Sequence, residues 1–208
     1  QVGMRPSLAW MSVAFILLLL AVCICGCTEG TAGNAGMGDM IDQQIQALSS
    51  DDPDTEHTAI MTLIEIGEPA VQPIIDSFAV SDNKTRIYGA FILQEIGEPA
   101  IPALIIALNA KDTDTLSICT TTLIGMGKPA VPYLLDALKR NNPNTDKVKE
   151  VIVRIGEPAL PALQAATLSS NPEYARSANE LIQSIYLSAK LKAGGFNAQQ
   201  NTTVTATD

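Results

Sequence analysis

Ile66-Gly67-Glu68-Pro69-Ala70-Val71 recurs as Ile96-Gly97-Glu98-Pro99-Ala100-Ile101, as Met126-Gly127-Lys128-Pro129-Ala130-Val131 and as Ile155-Gly156-Glu157-Pro158-Ala159-Leu160. The glycines of these stretches lie 30, 30 and 29 residues apart. A fixed period of that length marks one supersecondary unit copied in tandem, each copy too small to bury its apolar face alone and therefore stacked on its neighbours. The spacing excludes a globule built around one non-repeating core.

Outward from each stretch the aliphatic residues follow helical spacing. Val71, Ile74, Ile75 and Phe78 fall at i, i+3, i+4 and i+7; Ile101, Leu104, Ile105 and Leu108 copy them, as do Val131, Leu134, Leu135 and Leu138. This is the period of an amphipathic helix that buries one stripe. Ahead of each glycine a shorter helix is implied by Ile60, Leu63 and Ile66, by Ala90, Leu93 and Ile96, and by Cys119, Leu123 and Met126. The glycine ends that helix in a left-handed residue without a Cβ penalty, and the proline two residues on suits the first turn of the next. Glu68, Glu98 and Glu157 then face the positive end of a helix dipole, worth about 0.3–1 kcal/mol each. Gly-Glu-Pro is punctuation rather than a catalytic motif.

Turn and capping residues separate the units: Ser81-Asp82-Asn83, Lys111-Asp112-Thr113, Asn141-Asn142-Pro143 and Ser169-Ser170-Asn171-Pro172. The expected architecture is therefore all-α, with antiparallel helix pairs over 40–191. Met40 to Leu48 reads as a half-repeat, Gln164 and Thr167 replace core aliphatics in the fourth unit, and a longer helix over 173–190 closes the stack. Residues 28–39, rich in Gly, Ala, Thr and Asn, read as a flexible linker, and 192–208 as a disordered tail.

The chain has 208 residues, 22 of them acidic and 13 basic, which argues against a nucleic-acid surface because that needs clustered Lys and Arg. From Glu29 to Asp82 there are 11 acidic residues and no Lys or Arg; from Lys84 on, 12 basic residues face 11 acidic ones. One end is strongly anionic and the other near neutral. Aromatics make up only 4%, so the core must be aliphatic.

Arg5 precedes an uncharged apolar run from Leu8 to Gly26, which has the form of a secretory signal and is also long enough to span a bilayer. Either reading puts the repeats outside the cytoplasm, since Arg5 stays inside. Ile24-Cys25-Gly26-Cys27-Thr28 resembles a lipobox, with Cys27 in the position of the lipidated residue and Cys25 departing from the usual small residue. The resemblance implies a lipid anchor on Cys27 within a leader over 1–27, each buried methylene contributing about 0.8 kcal/mol. An uncleaved transmembrane anchor is the alternative. Of the four cysteines only Cys119 lies in the repeats, so no disulfide framework holds them.

The Gly-Glu-Pro-Ala units at 67–73, 97–102, 127–132 and 156–161 resemble the HEAT repeat family, and more closely its short repeats of about 30 residues also found in phycobilisome lyases. The resemblance covers about 40–190 and implies a right-handed α-solenoid serving as a protein-binding surface. The Arg frequent in the family's first helix stands only at Arg86, with Glu56 and Leu116 at the matching positions of neighbouring units. Pro73 falls one residue later than Pro102, Pro132 and Pro161, so a local distortion is expected where that helix begins.

Catalytic groupings are missing from the sequence. His57, the single histidine, is expected on the surface, and Cys119 sits on an apolar helix position as an inert core thiol. Asp51, Asp52, Asp54 and Glu56 lack the glycine and ligand spacing of an EF-hand loop and read as capping residues of a solvated loop. Neither metal nor cofactor is expected, and the chain is read as no enzyme. If the second helices line the concave side, as the resemblance implies, the positions left over from the apolar stripe form the candidate binding face: Gln72, Asp76, Ile106, Tyr133 and Asp136. Ile106 and Tyr133 flanked by carboxylates suit a protein or peptide partner of basic character. Asn83 and Asn201 begin N-glycosylation sequons, relevant because the domain is expected to be exported. The functional expectation is a non-enzymatic scaffold at the outer face of a cytoplasmic membrane, on an archaeal cell surface or in a bacterial periplasm. An accessory of the chromophore-lyase type and a structural spacer in an envelope assembly are the alternatives.

Overall fold

The computed structural model describes residues 32–140 and 144–201, and every regular element among them is helical. The chain divides into two compact units, residues 1–37 and 38–208. Of the first, residues 32–37 are described, as the opening of helix α1 (Ala32–Ala47). The second unit continues α1 and holds α2 (Pro53–Ile66), α3 (Glu68–Ser77), α4 (Asn83–Ile96), α5 (Ile101–Ala107), α6 (Thr113–Met126), α7 (Val131–Lys139), α8 (Thr145–Ile155), α9 (Leu160–Ala166) and α10 (Pro172–Asn201). Short 3-10 turns at Glu98–Ala100, Lys128–Ala130 and Glu157–Ala159 lead into α5, α7 and α9.

The recurring corner has a physical explanation in each copy. Gly67, Gly97, Gly127 and Gly156 have φ of +71°, +76°, +63° and +76°, with ψ between −125° and −134°. The positive φ is as expected, but the ψ belongs to a glycine-only region rather than to a left-handed helical residue. Each glycine N–H still closes the last turn behind it, donating to the carbonyls of Leu63, Leu93, Leu123 and Ile152. Each glycine carbonyl then accepts from the alanine three residues on, at 2.9–3.1 Å, which starts the next helix. Those alanines, Ala70, Ala100, Ala130 and Ala159, are wholly buried, so each corner packs its smallest side chain against the core. Between α4 and the segment Glu98–Ala107 the chain bends by 115°.

The displaced proline does alter the helix start, but the irregularity lies in the other three copies. Pro102, Pro132 and Pro161 have no N–H to offer the carbonyl four residues back. The N–H groups of Ile101, Val131 and Leu160 therefore take the carbonyls of Glu98, Lys128 and Glu157 in 3-10 fashion. In the first copy Gln72 keeps its N–H where the others have proline, and α3 runs as α-helix from Glu68.

Helices α2, α4, α6, α8 and α10 pack each on the next, and α3, α5, α7 and α9 do the same, giving two layers. The core between the layers is one continuous aliphatic cluster, from Ile41 and Leu63 through Ile92, Leu104 and Leu134 to Leu163 and Ile185. Phe78 is its largest fully buried side chain. The fourth unit thins out as the sequence suggests, with Gln164 exposed and Thr167 half-buried.

Two boundaries differ from the sequence reading. Helix α1 begins at Ala32, inside the stretch read as linker, although Gly33, Gly36 and Gly38 disfavour helix there. Helix α10 runs to Asn201, past the expected end at Lys190 and into the stretch read as disordered, with no proline there to stop it. The leader, Cys27 and residues 202–208 lie outside the described residues.

Candidate binding face and neighbouring hollows

The first helix of the first three units is anchored by a repeated cap. Asp52, Asp82 and Asp112, spaced by 30 residues, accept hydrogen bonds from the backbone N–H of Thr55, Thr85 and Thr115 at 3.0, 2.8 and 2.7 Å. These bonds hold all three carboxyls below the ordinary value; for Asp52 and Asp112 the threonine hydroxyl is the larger cause, for Asp82 the threonine N–H. Asp52 is thus structural, and among the described residues no cluster of three metal-ligating side chains forms.

Cations on the first helices then join one unit to the next. Lys84 pairs with Glu56 at 2.5 Å, donates to the Ser50 carbonyl at 2.6 Å and lies 6.0 Å from the centre of the Tyr88 ring. Glu56 holds the Lys84 ammonium and the Tyr88 hydroxyl above their usual values, while its own is lowered by Lys84. Arg86 donates through Nε to the Phe78 carbonyl at 2.8 Å and through its other end to Asp114 at 2.6 Å. The arginine that stands alone among the repeats therefore ties three units together. In the fourth unit Asn144 replaces the capping Asp, is buried, and donates its side-chain amide to the Ile105 carbonyl.

On the second-helix layer the candidate strip is laid out as follows. Gln72 donates to Asp76 at 2.8 Å within α3, both exposed. Ile106 is 67% exposed, between buried Leu104 and Ile105 on one side and Leu108 on the other. Gln72, Asp76 and Ile106 line one hollow of about 410 Å³, together with Lys111, Asp112 and Thr115. Tyr133 is half-buried and belongs to a separate hollow of about 500 Å³ with Glu98, Lys128 and Pro132. Its hydroxyl donates to Glu98 across the corner at 3.3 Å. Asp136 is held by Arg140 one turn on, at 2.9 Å, and lines neither hollow. The strip therefore resolves into a largely apolar hollow of mixed charge at Ile106 and a tyrosine-centred one beside it.

His57 is exposed, with no base or nucleophile arranged about it among the described residues. Cys119 is fully buried, and desolvation pushes its thiol up to about 12, which leaves no thiolate to react. Asn83 is exposed at the start of α4.

Sequence reasoning missed a hollow of about 590 Å³ between α4 and α6, floored by Ile87, Ala90, Phe91 and Ile118 and edged by Arg86 and Asp114. Ile87 and Phe91 are 68% and 46% exposed. Their spacing of four places them on one helix face, out of phase with buried Ile92 and Leu93, and that is the signal that would have found them.

No family model and no curated protein matches the chain. Among solved structures it is similar to an engineered protein from the Northeast Structural Genomics Consortium, at 15% identity and a TM-score of 0.27, over 76% of this chain. The chain spans about half the length of that engineered protein, 51%, and a likeness of this size carries no argument about what it does.

Proposed function

We propose that the chain is a non-enzymatic scaffold: a right-handed solenoid of HEAT-like repeats, exported and held at the membrane by a lipid on Cys27, that binds a protein or peptide of basic character. The observation that carries the reading is Ile106. Ile106 is two-thirds exposed on a helix whose other large aliphatics are buried, and with Gln72 and Asp76 in the same hollow it offers a partner an apolar contact ringed by polar groups. Asp76, exposed in the same hollow and without an ion-pair partner among the described residues, supports a partner of basic character, set against Lys111 on the same lining. Tandem corners, two helix layers and a continuous aliphatic core support the repeat reading. Arg5, the apolar run after it and Cys27 support the anchor.

The test is affinity capture from solubilised membranes with Ile106→Glu/Tyr133→Glu beside the parent protein. Loss of one stoichiometric partner, with unchanged thermal unfolding, is the expected result. Equal capture by both proteins discards the strip as the binding face. Cys27→Ala is expected to release the protein from the membrane fraction, and retention there points to the uncleaved apolar run as the anchor.

A further inference from the structure

The last buried residue described on α10 is Ile185, yet the helix continues to Asn201, a further length of about 24 Å at 1.5 Å per residue. Its exposed face there is apolar and basic at once. Leu187 and Leu191 stand one turn apart, 60% and 67% exposed, and Tyr186 and Lys190 form the adjoining row. Lys192 follows, and among the described residues neither lysine takes part in an ion pair.

The opposite end of the repeat array offers the complement. Between α1, α3 and the start of α4 lies a groove of about 960 Å³, with Ile45 and Pro73 in its floor and Val80, 87% exposed, on its rim. Asp42 and Asp76 edge it, and no cation pairs with either among the described residues. The charges of the two ends match over a wider range. Residues 38–82 hold ten acidic side chains and no Lys or Arg, whereas residues 139–192 hold eight basic and five acidic ones. Among the described residues helix α10 packs on α8 and α9, at the other end of the repeat order from α1 and α3, which leaves the groove to a second copy.

We propose that the projecting end of α10, Tyr186 to Lys192, docks in the α1–α3 groove of a second copy of this chain, joining copies head to tail. Leu187 and Leu191 meet the apolar floor, and Lys190 and Lys192 meet Asp42 and Asp76. Such a contact uses two different patches, so a joined pair still has one free groove, on one copy, and one free helix end, on the other, and further copies add until a ring closes or the chain runs on. Charge attraction between the ends makes it salt-sensitive.

The head-to-tail geometry makes a specific prediction for two differently tagged full-length chains, co-expressed and solubilised in detergent. The parent chain captures its own tagged copy, and capture falls at least tenfold in 0.5 M salt. Asp42→Lys/Asp76→Lys no longer captures itself, and neither does Lys190→Glu/Lys192→Glu. Mixing the two variants restores capture, because the helix end of the first and the groove of the second are both intact; this restoration also shows that both variants are folded. The proposal is overturned if the parent does not capture itself, if either variant self-associates as the parent does, or if the mixture stays apart.

Discussion

Arg86, in the first turn of α4, reaches Asp114 in the first turn of α6 at 2.6 Å while its Nε donates to the carbonyl of Phe78 behind it. One guanidinium thus serves a carboxylate ahead and a backbone oxygen behind, with its side chain 17% exposed. Lysine carries its charge on one compact ammonium and cannot present this fork. Arg86→Lys is expected to lower stability by about 1 kcal/mol, and Arg86→Met by more, since the Phe78 carbonyl loses a charged donor. Thermal unfolding followed by circular dichroism measures both. Equal stability of Arg86→Lys and the parent would show that the fork adds nothing.

Glycine inside a helix ordinarily weakens it by about 1 kcal/mol relative to alanine, so Gly→Ala there usually stabilises. Gly89 in α4 is expected to do the reverse. A Cβ at this position would lie 2.6 Å from Cε1 of Phe78 and 3.1 Å from Ile74. Phe78 is fully buried and has nowhere to move, so Gly89→Ala is expected to destabilise by about 1–3 kcal/mol. Gly125→Ala, whose Cβ would meet only the exposed side chain of Gln94, serves as the control and is expected to be mild. Denaturant midpoints of the two variants decide it.

The three capping aspartates make stability depend on pH in a stated direction. Their carboxyls are lowered in the folded protein, so their contribution is complete above the ordinary value of 3.8 and fades as pH falls through the lowered native values. Replacing Asp52, Asp82 and Asp112 together by Asn keeps a capping oxygen but removes the titration. The melting temperature of the triple variant is expected to fall less steeply below about pH 4 than that of the parent. Parallel curves for the two proteins would assign acid unfolding to other groups.

At the fourth unit an amide is required where the other three use a carboxylate. Asn144 is 4% exposed and donates to the carbonyl of Ile105, while its own oxygen has no partner among the described residues. Asn144→Asp, which looks like a return to the repeat consensus, would bring an acceptor-only group against that carbonyl. It is expected to cost about 1–3 kcal/mol at neutral pH and less at pH 4, where the carboxyl regains a proton to donate. Chemical unfolding at the two pH values tests the sign.

The corners were legible because their cause is local. A glycine at positive φ, a proline that removes one N–H and a wholly buried alanine are properties of four adjacent residues, and Gly67, Gly97, Gly127 and Gly156 adopt one conformation. The stripe of Ile101, Leu104, Ile105 and Leu108 was legible for the same reason, since helical period alone sets which side is apolar. Tyr133 and Ile106 were expected together on the strip, and both lie on the second-helix layer. Their separation into two hollows follows from how α3, α5 and α7 stack, and no spacing within a single helix records that. The hollow under Ile87 and Phe91 likewise exists only because α6 lies alongside α4.

Periodicity, corner chemistry and caps are written along the chain, so the all-helical repeat and the corners between paired helices followed from residues a few positions apart, while the outer ends of α1 and α10 did not. Which side chains meet across units was decided by stacking: Arg86 with Asp114, Gly89 under Phe78, Asn144 against Ile105. These pairs lie 28, 11 and 39 residues apart, and their distances depend on the angle and offset between successive helices, summed from many small packing contacts rather than from any one residue's preference.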